Sequence, residues 1–521
     1  MNAKAILLMS AFAALSLTAA QKPKFVVFGW EFNTSSPQEL LKLADEFDKT
    51  PIDGIGIKLK ADTVVDGKKT TFFYRHFMHQ PSWTKEAFAD QIPLFRKLTA
   101  HRSMKHCFVN SFAAPRKRIS WTDDAEWARL AKSMRTVAWV ARQGGMKGLT
   151  IDPEDYSKAH QFTRMPDDPP YGELCATVRR RARELFAPVF EEYPDVTLHF
   201  FWFMSHVQYY AKRDRADIVK MAKVDESLWP SFVNGILDIL PPEARINDGQ
   251  EDSYHSSAAK LGYRNDAYMF HALYPKLVDP ANLEKYRRQV GYAPTVYMEM
   301  FLNKEGSSWY KGPTNGSRVE TLRADLVQAT DVCGGYVWFW GEKHTWLNRG
   351  KNWHKPDHRI KDTTWAQELP GLFRAMAWAK DPISLYDSEV AALKANGVVM
   401  NLAEKTSVEV TNGYKTVGIQ NIKGGDWLAI GFDVKGKSAK INTFYKDDKW
   451  KYVQPSINLI YPDDGRGVVR VPDGGVRGTL VFSAKNRPGE KTVFDNIHVY
   501  RFASEANENK NEVKEEKESA K

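Results

Sequence analysis

A short apolar run that ends in two carboxylates is the most chemically informative part of this sequence. Residues 148–154 read Gly-Leu-Thr-Ile-Asp-Pro-Glu. Alternate residues of an extended strand share a face, so Thr150, Asp152 and Glu154 are expected to point the same way. Paired acids at the point where a strand passes into a loop suit general acid and base chemistry. A pair of loop-capping acids is the structural alternative.

The elements that must position these acids are eight apolar runs, separated by stretches with helical periodicity. The candidate strands are residues 24–32, 52–59, 104–112, 147–151, 197–204, 244–248, 295–301 and 334–340. Eight strands alternating with helices predict an α/β fold, a closed (β/α)8 TIM barrel. An open doubly wound sheet is the alternative, but no G-x-G-x-x-G follows the first strand, so its dinucleotide-binding form has no support.

The carboxyl ends of barrel strands form the ligand-binding face, so reactive residues there are candidate site residues. Besides Asp152 and Glu154, they are Trp30, Glu31, Asp248, Glu251, Tyr297, Glu299, Trp338, Trp340 and Glu342. Glu299 is a lone acid in an apolar run, and burying it is costly unless it is partnered or faces a cleft. The tryptophans can stack on flat ligands or fill the barrel core.

The chain divides into four predicted segments. Residues 1–20 have a charged start, a short apolar run and small residues before Gln21, the pattern of a signal peptide, which predicts a secreted or periplasmic protein. Residues 22–382 form the barrel. Residues 387–503, with short alternating runs and turn clusters, predict an antiparallel β-sandwich. Residues 504–521 are rich in Glu, Lys and Asn and are expected to be disordered.

Composition limits the partners and cofactors. The formal net charge of +10 permits acidic glycans as partners, although a generally basic surface also explains it. No basic helix or aromatic-basic repeat indicates nucleic acid, and no segment after residue 20 is long enough for a membrane span. We predict neither a cofactor nor a metal site. A metal-dependent hydrolase that uses Asp248, His255 and His344 is a lower-ranked alternative.

Acids from several strand ends beside tryptophans suit cleavage of a glycosidic bond, where one carboxylic acid protonates the leaving oxygen and a second carboxylate attacks or activates water. Over the predicted barrel the chain resembles (β/α)8 glycoside hydrolases. The resemblance to retaining enzymes of the cellulase and β-galactosidase superfamily places Glu154 as acid/base and Glu299 as nucleophile. Pro153 stands where that superfamily usually has Asn.

Asp152-Pro153-Glu154 also resembles the last part of the chitinase-like D-x-x-D-x-D-x-E motif, with Lys147 and Thr150 in place of the earlier acids. That resemblance implies that Glu154 protonates the bond while Asp152 steadies an N-acetyl group of the substrate, which acts as nucleophile. The expected function is therefore a secreted glycoside hydrolase that acts on a carbohydrate. A carbohydrate-binding protein on a degenerate barrel, without catalysis, is the alternative from another class.

Overall fold

The computed structural model describes residues 22–33, 35–112, 115–313, 317–350, 353–397, 400–436, 439–453, 458–460 and 465–502. The predicted signal peptide and the predicted charged tail lie outside these residues. The chain divides into two compact units, the first made of residues 1–256, 261–296 and 329–340, and the second of residues 257–260, 297–328 and 341–521. This division does not follow the predicted domain boundary at 382–387, because the second unit includes late segments of the barrel as well as the sandwich.

Nine strands form one sheet that contains all eight predicted strands. The strands up to residue 341 are β1 Lys24–Gly29, β2 Gly54–Lys58, β3 Lys60–Val65, β4 Lys68–Phe73, β5 Phe108–Phe112, β6 Gly148–Asp152, β7 Thr197–Phe200, β8 Arg245–Asp248, β9 Val290–Tyr292, β10 Thr295–Tyr297 and β11 Tyr336–Gly341. The sheet order is β10-β11-β1-β2-β5-β6-β7-β8-β9. Strands β3 and β4 form a separate antiparallel hairpin.

The two ends of the nine-stranded sheet meet at the short link between β9 and β10, so the sheet closes. The backbone N–H of Ala293 donates to the carbonyl oxygen of Asp248 in β8 (2.9 Å), while the carbonyl oxygen of Pro294 accepts from Trp338 in β11 (3.0 Å). Strands β9 and β10 are thus two halves of one barrel strand, and each half bonds to a different neighbour. The (β/α)8 barrel predicted from the sequence is confirmed.

Helices alternate with the barrel strands. The α-helices are α1 Pro37–Leu41, α2 Ala44–Asp48, α3 Ile92–Ala100, α4 Asp124–Gln143, α5 Tyr171–Glu192, α6 Gln208–Arg213, α7 Ile218–Val224, α8 Trp229–Ile239, α9 Gly262–Tyr268, α10 Leu283–Gln289, α11 Arg318–Val332, α12 Trp365–Glu368, α13 Leu372–Lys380 and α14 Pro382–Ala395. Ser36 and Glu39 form a capping box at the start of α1. Among the described residues, no helix combines the length and hydrophobicity needed to cross a membrane.

The long helices α4, α5 and α8 pack side by side against the barrel. Helix α5 contacts α4 on one side and α8 on the other, and α4 also contacts β5 and β6. The apolar stripe of α4 is buried, including Trp127, Leu130 and Val137. This packing fixes the strand that carries Asp152, because β6 lies beneath α4.

The C-terminal part of the second unit is an antiparallel β-sandwich, as predicted. Its strands are β12 Val408–Val410, β13 Asn412–Ile419, β14 Trp427–Lys435, β15 Ala439–Lys446, β16 Asn458–Ile460, β17 Arg466–Arg470, β18 Arg477–Lys485 and β19 Thr492–Arg501. They form two four-stranded sheets, in the orders β12-β19-β14-β17 and β13-β18-β15-β16. Alternate residues of both sheets, such as Ile430 and Phe482, share one buried core.

Three predicted strands are too long at their carboxyl ends. Residues 30–32, 204–207 and 298–301 form 3-10 helices, so the strands stop earlier than the apolar runs do. Glu299 therefore lies in a helical turn after β10 and not inside a strand. These segments are apolar because they are buried at the strand ends. A short apolar run does not show by its periodicity whether it is a strand or a buried helical turn.

Gly148, the first residue of β6, allows β6 and β7 to approach closely. A Cβ at Gly148 would lie 1.8 Å from the carbonyl oxygen of Thr197. We expect Gly148→Ala to lower the free energy of unfolding by about 1–3 kcal/mol or more, because the β7 backbone cannot move away without breaking the sheet. Gly172→Ala in α5 is the matched control, since a Cβ there meets nothing within 4 Å. Denaturant unfolding that gave both variants the same stability would contradict this close approach.

Candidate active site

The carboxyl end of β6 carries a hydrogen-bonded group of two acids and a tyrosine. The strand ends at Asp152, and the backbone N–H of Glu154 donates to Asp152 Oδ1 (3.0 Å). The Tyr156 hydroxyl donates to Glu154 Oε2 and also lies 3.2 Å from Asp152 Oδ2. One hydroxyl therefore contacts both carboxyl groups, which the sequence predicted to share a face.

A third acid, Glu251, comes to the same place from the loop after β8. Its backbone N–H donates to the carbonyl oxygen of Phe201 (3.2 Å), which joins the loops that follow β7 and β8. Trp202 interacts with both Glu154 and Glu251, and Tyr254 interacts with Glu251. We call Asp152, Glu154 and Glu251 the acid cluster.

The acid cluster holds protons more strongly than isolated carboxyl groups do. Burial and then the charge of Glu154 raise the pKa of Asp152 to about 8. Burial raises the pKa of Glu154, while Tyr156 and Trp202 act in the opposite direction. Burial and then the charges of Glu154 and Asp152 raise the pKa of Glu251 well above its usual range. Ionising all three at once is therefore unfavourable, and the cluster shares protons near neutral pH.

A cation and two aromatic residues lie beside the acid cluster. Lys58, the last residue of β2, is buried and its Nζ donates to Asn33 Oδ1. Lys58 Nζ lies 4.8 Å from the ring centre of Tyr74 and 5.7 Å from that of Trp340. Its charge lowers the pKa of Asp152 and so partly offsets the burial of that acid. We call Lys58, Asn33, Tyr74 and Trp340 the lysine pocket.

The two predicted tryptophans of β11 have different surroundings. Trp338 is fully buried, stacks on Phe201 with ring centres 4.4 Å apart, and donates its indole N–H to the carbonyl oxygen of Gly249 (3.1 Å). Trp340, two residues nearer the strand end, is only half-buried. A ligand-contacting role therefore fits Trp340. Trp338 instead fills the barrel core, which was the alternative to the substrate contact predicted for it.

Asp248 holds a loop in place. Its side chain is fully buried and its oxygens accept from the backbone N–H groups of Phe203 (3.1 Å), Ser205 (2.9 Å) and Gln250 (3.3 Å). The Ser205 hydroxyl also donates to Asp248 Oδ1. These contacts hold residues 203–205, which directly follow Trp202. The substrate contact predicted for Asp248 does not fit the burial of its side chain. After β1, Glu31 is likewise buried, whereas Trp30 is half-buried.

Glu299 belongs to the second unit, where the backbone holds one of its oxygens. Its Oε1 accepts from the N–H groups of Glu342 and Lys343, both at 2.7 Å, while Oε2 is buried with no hydrogen-bond partner among the described residues. Burial raises the pKa of Glu299 to about 7, although the two N–H groups act in the opposite direction. Tyr297, just before this turn, is half-buried, and its ring packs against Trp309. Among the described residues Glu299 makes no salt bridge to Lys or Arg, and backbone N–H groups are the partners of its carboxylate.

The histidines and acids proposed for a metal site do not form a ligand group among the described residues. The one group there with three possible ligand atoms in reach is Asp45, Asp48 and His101. Asp48 in that group already accepts from the backbone and hydroxyl of Ser103, both at 2.8 Å.

Four residues near the acid cluster were not predicted: Lys58, Tyr156, Trp202 and Tyr254. Lys58 ends an apolar strand, Gly-Ile-Gly-Ile-Lys, and this lone charge is the same kind of signal that indicated Glu299. Tyr156 follows Glu154 by two residues, so it could have been found by extending the strand-end search into the loop. Trp202 was assigned to a strand that in fact ends at Phe200.

Comparisons with known proteins add little to this geometry. No family model matches the chain, and no curated protein matches it. Among solved structures, a GH5_18 protein from Streptomyces cattleya in complex with GlcNAc has a TM-score of 0.36 at 12% identity, covering 69% of this chain and 80% of that one. A glycoside hydrolase family 5 protein from Bacteroides vulgatus has a TM-score of 0.34 at 9% identity, covering 89% of each chain.

A GH18 chitinase from Pseudoalteromonas aurantia is also similar, with a TM-score of 0.31 at 10% identity over 68% of this chain and 99% of that one. All three similarities are at 12% identity or below. The function is therefore inferred from the site itself.

The raised pKa of Glu299 predicts that folding stability depends on pH. Because the folded chain binds this proton more tightly than the unfolded chain, stability falls as pH rises from the ordinary value of 4.5 to about 7. Glu299→Gln removes the ionisation and keeps an Oε1 that can accept both N–H groups. We expect the variant to be the more stable protein at about pH 8, with a difference that disappears below about pH 4.5.

Thermal unfolding across this pH range measures the effect. Glu305→Gln is the control, since Glu305 is an exposed glutamate of the same unit. A stability difference between Glu299→Gln and wild type that stays constant with pH would show that Glu299 does not carry the shifted proton.

Proposed function

We propose that this protein is a glycoside hydrolase in which Glu154 is the general acid/base. The observation that carries the proposal is the acid cluster, three carboxyl groups with raised pKa values that follow the ends of two barrel strands. Glycosidic cleavage needs a carboxylic acid that is still protonated near neutral pH and a second carboxylate that faces positive charge as it develops on the sugar. In a partly desolvated group of acids, one carboxyl group can stay protonated while another is ionised.

Glu154 is the proposed proton donor because of its position in the cluster. It follows the strand end, is half-buried, and contacts both Tyr156 and Trp202. Burial raises its pKa, which favours the protonated carboxyl group in the resting site, and the leaving oxygen takes this proton during cleavage. Once Glu154 has given up the proton, Tyr156 donates a hydrogen bond that stabilises the carboxylate.

The second carboxylate has two candidates. The sequence resemblance favours Glu299 as nucleophile, and its two N–H contacts would hold it as an oriented anion. The contacts of Asp152 with the Glu154 backbone and with Tyr156 favour a substrate-assisted reaction, in which Asp152 orients an N-acetyl group. Export from the cell is part of the proposal and is supported by the signal-like residues 1–20.

Loss of the Glu154 carboxyl group should abolish most turnover. On a panel of 4-nitrophenyl glycosides we expect Glu154→Gln to lower kcat by about 10²–10⁴-fold for glycosides that the wild type cleaves, because the amide cannot transfer a proton. Glu173→Gln, which changes an exposed glutamate of α5, is the matched control and should keep full activity. Full activity of Glu154→Gln would refute its assigned role, and an inactive wild type that still binds glycans would favour the non-catalytic alternative.

The two candidates for the second carboxylate give different products. If Glu299 is the nucleophile, Glu299→Ala is inactive alone, and azide restores turnover with a glycosyl azide of inverted anomeric configuration. If Asp152 assists an N-acetyl group, activity is confined to 2-acetamido sugars and falls in Asp152→Asn, while azide has no effect on Glu299→Ala. Full activity of Glu299→Ala without azide would exclude Glu299 as nucleophile.

Tyr156 should set the alkaline limit of activity. Its hydrogen bond lowers the pKa of Glu154, so Tyr156→Phe should raise that pKa and move the alkaline limb of the kcat/KM profile to higher pH. Tyr209→Phe, at a tyrosine that is 60% exposed, is the control and should leave the profile unchanged. An unchanged or acid-shifted limb in Tyr156→Phe would show that this hydroxyl does not act on the catalytic proton.

A further inference from the structure

The lysine pocket contains a buried cation that contacts neutral groups, an amide oxygen and two aromatic rings. Lys58 is 7% exposed and its Nζ donates to Asn33 Oδ1. Arg75, which is exposed, donates from Nε to the hydroxyl oxygen of Tyr74 (3.0 Å). Neither cation has a carboxylate oxygen within 4.0 Å among the described residues. Desolvating an ammonium group without an anion is costly, so its retention at a strand end indicates a use for the charge.

The Tyr74 hydroxyl shows that the two cations act at one point. Burial raises the pKa of Tyr74, but the charges of Lys58 and Arg75, together with their hydrogen bonds to the hydroxyl, outweigh burial and lower it. A buried phenol whose pKa is lowered although burial raises it marks a local positive potential. An anionic oxygen that reached this point would meet both an ammonium and a guanidinium group, and guanidinium groups bind carboxylate and sulfate oxygens in pairs.

The lysine pocket contains an aromatic side chain on which a sugar ring can pack, and it lies next to the proposed chemistry. Lys58 Nζ lies over the ring of Trp340, and its charge acts on Asp152 of the acid cluster. A sugar ring packed on Trp340 would therefore bring a ring substituent toward Lys58 and Arg75. Both cations would attract an anionic group on that sugar.

We infer that the lysine pocket is an anion subsite, which binds a carboxylate or sulfate group on the sugar next to the bond that is cleaved. This inference rests on the proposed function for the position of the bond, and it narrows the substrate to acidic glycans. The formal net charge of +10 agrees with attraction of such substrates over longer distances.

Binding, measured apart from cleavage, tests this inference. Isothermal titration calorimetry on the full chain, as wild type and as Glu154→Gln, would use tetrasaccharides with glucose or galactose backbones. Each backbone is offered in a neutral, a uronate and a 6-sulfate form. We expect at least one anionic form to bind about tenfold or more tightly than its neutral counterpart, since hydrogen bonds to charged groups are worth this much. Tighter binding of the uronate form identifies a carboxylate as the recognised group, and tighter binding of the 6-sulfate form identifies a sulfate.

Three variants separate the pocket from general surface charge. Lys58→Met and Arg75→Gln should each lower the affinity for the preferred anionic form about tenfold and leave that for the neutral form within about twofold. Lys60→Met removes the same charge from an exposed site two residues away and should change neither affinity. Arg75→Gln keeps the test valid if Lys58→Met fails to fold, because Arg75 is exposed.

Equal affinities for the anionic and neutral forms in both backbone sets would overturn the subsite. So would an anion preference that survives both Lys58→Met and Arg75→Gln, or one that Lys60→Met reduces equally. Failure of the hydrolase proposal would appear differently, as absent cleavage by the wild type with the binding preference intact.

Discussion

The proposed chemistry depends on the repulsion between carboxylates that the fold forces together. Asp152, Glu154 and Glu251 come from the ends of two barrel strands, in surroundings that are only partly solvated. The charge of Glu154 therefore disfavours ionisation of Asp152, and both charges disfavour ionisation of Glu251. Such a group keeps a transferable proton near neutral pH without any unusual residue. Tyr156 and Trp202 limit the effect by stabilising the anion of Glu154. The balance between burial and these contacts decides whether Glu154 is an acid or a base at each step.

The barrel supplies the rigidity that this repulsion requires. Gly148 lets β6 lie close to β7, Asp248 fixes the loop that carries Trp202, and the bond from Glu251 to Phe201 ties two loops together. Placing three acids together is unfavourable in free energy. Backbone hydrogen bonds and the packing of Trp338, away from the reacting groups, stabilise the fold against this repulsion. This separation explains why fully buried polar residues near the site, such as Asp248, are supports and not contacts for substrate.

Much of this arrangement could be predicted from the sequence, because strand order and strand-end acids follow from local patterns. Eight apolar runs predict a barrel. Because ligands bind at the carboxyl ends of barrel strands, Asp152, Glu154 and Glu251 are then predicted to be site residues. The remaining features depend on distant contacts. Trp202 lies in a segment that is apolar because it is buried. The apolar pattern therefore predicts a strand that continues past Phe200, where β7 ends. Asp248 follows a strand as a catalytic acid would, and only its hydrogen bonds to residues 203–205 show its structural role.

The most direct test is a crystal structure of Glu154→Gln with an uncleaved oligosaccharide bound. We expect the glycosidic oxygen to lie about 2.6–3.2 Å from the side-chain amide at position 154, with a sugar ring packed on Trp340. A saccharide bound only at the β-sandwich, or one whose glycosidic oxygen lies beyond the reach of position 154 and of the whole acid cluster, would contradict it.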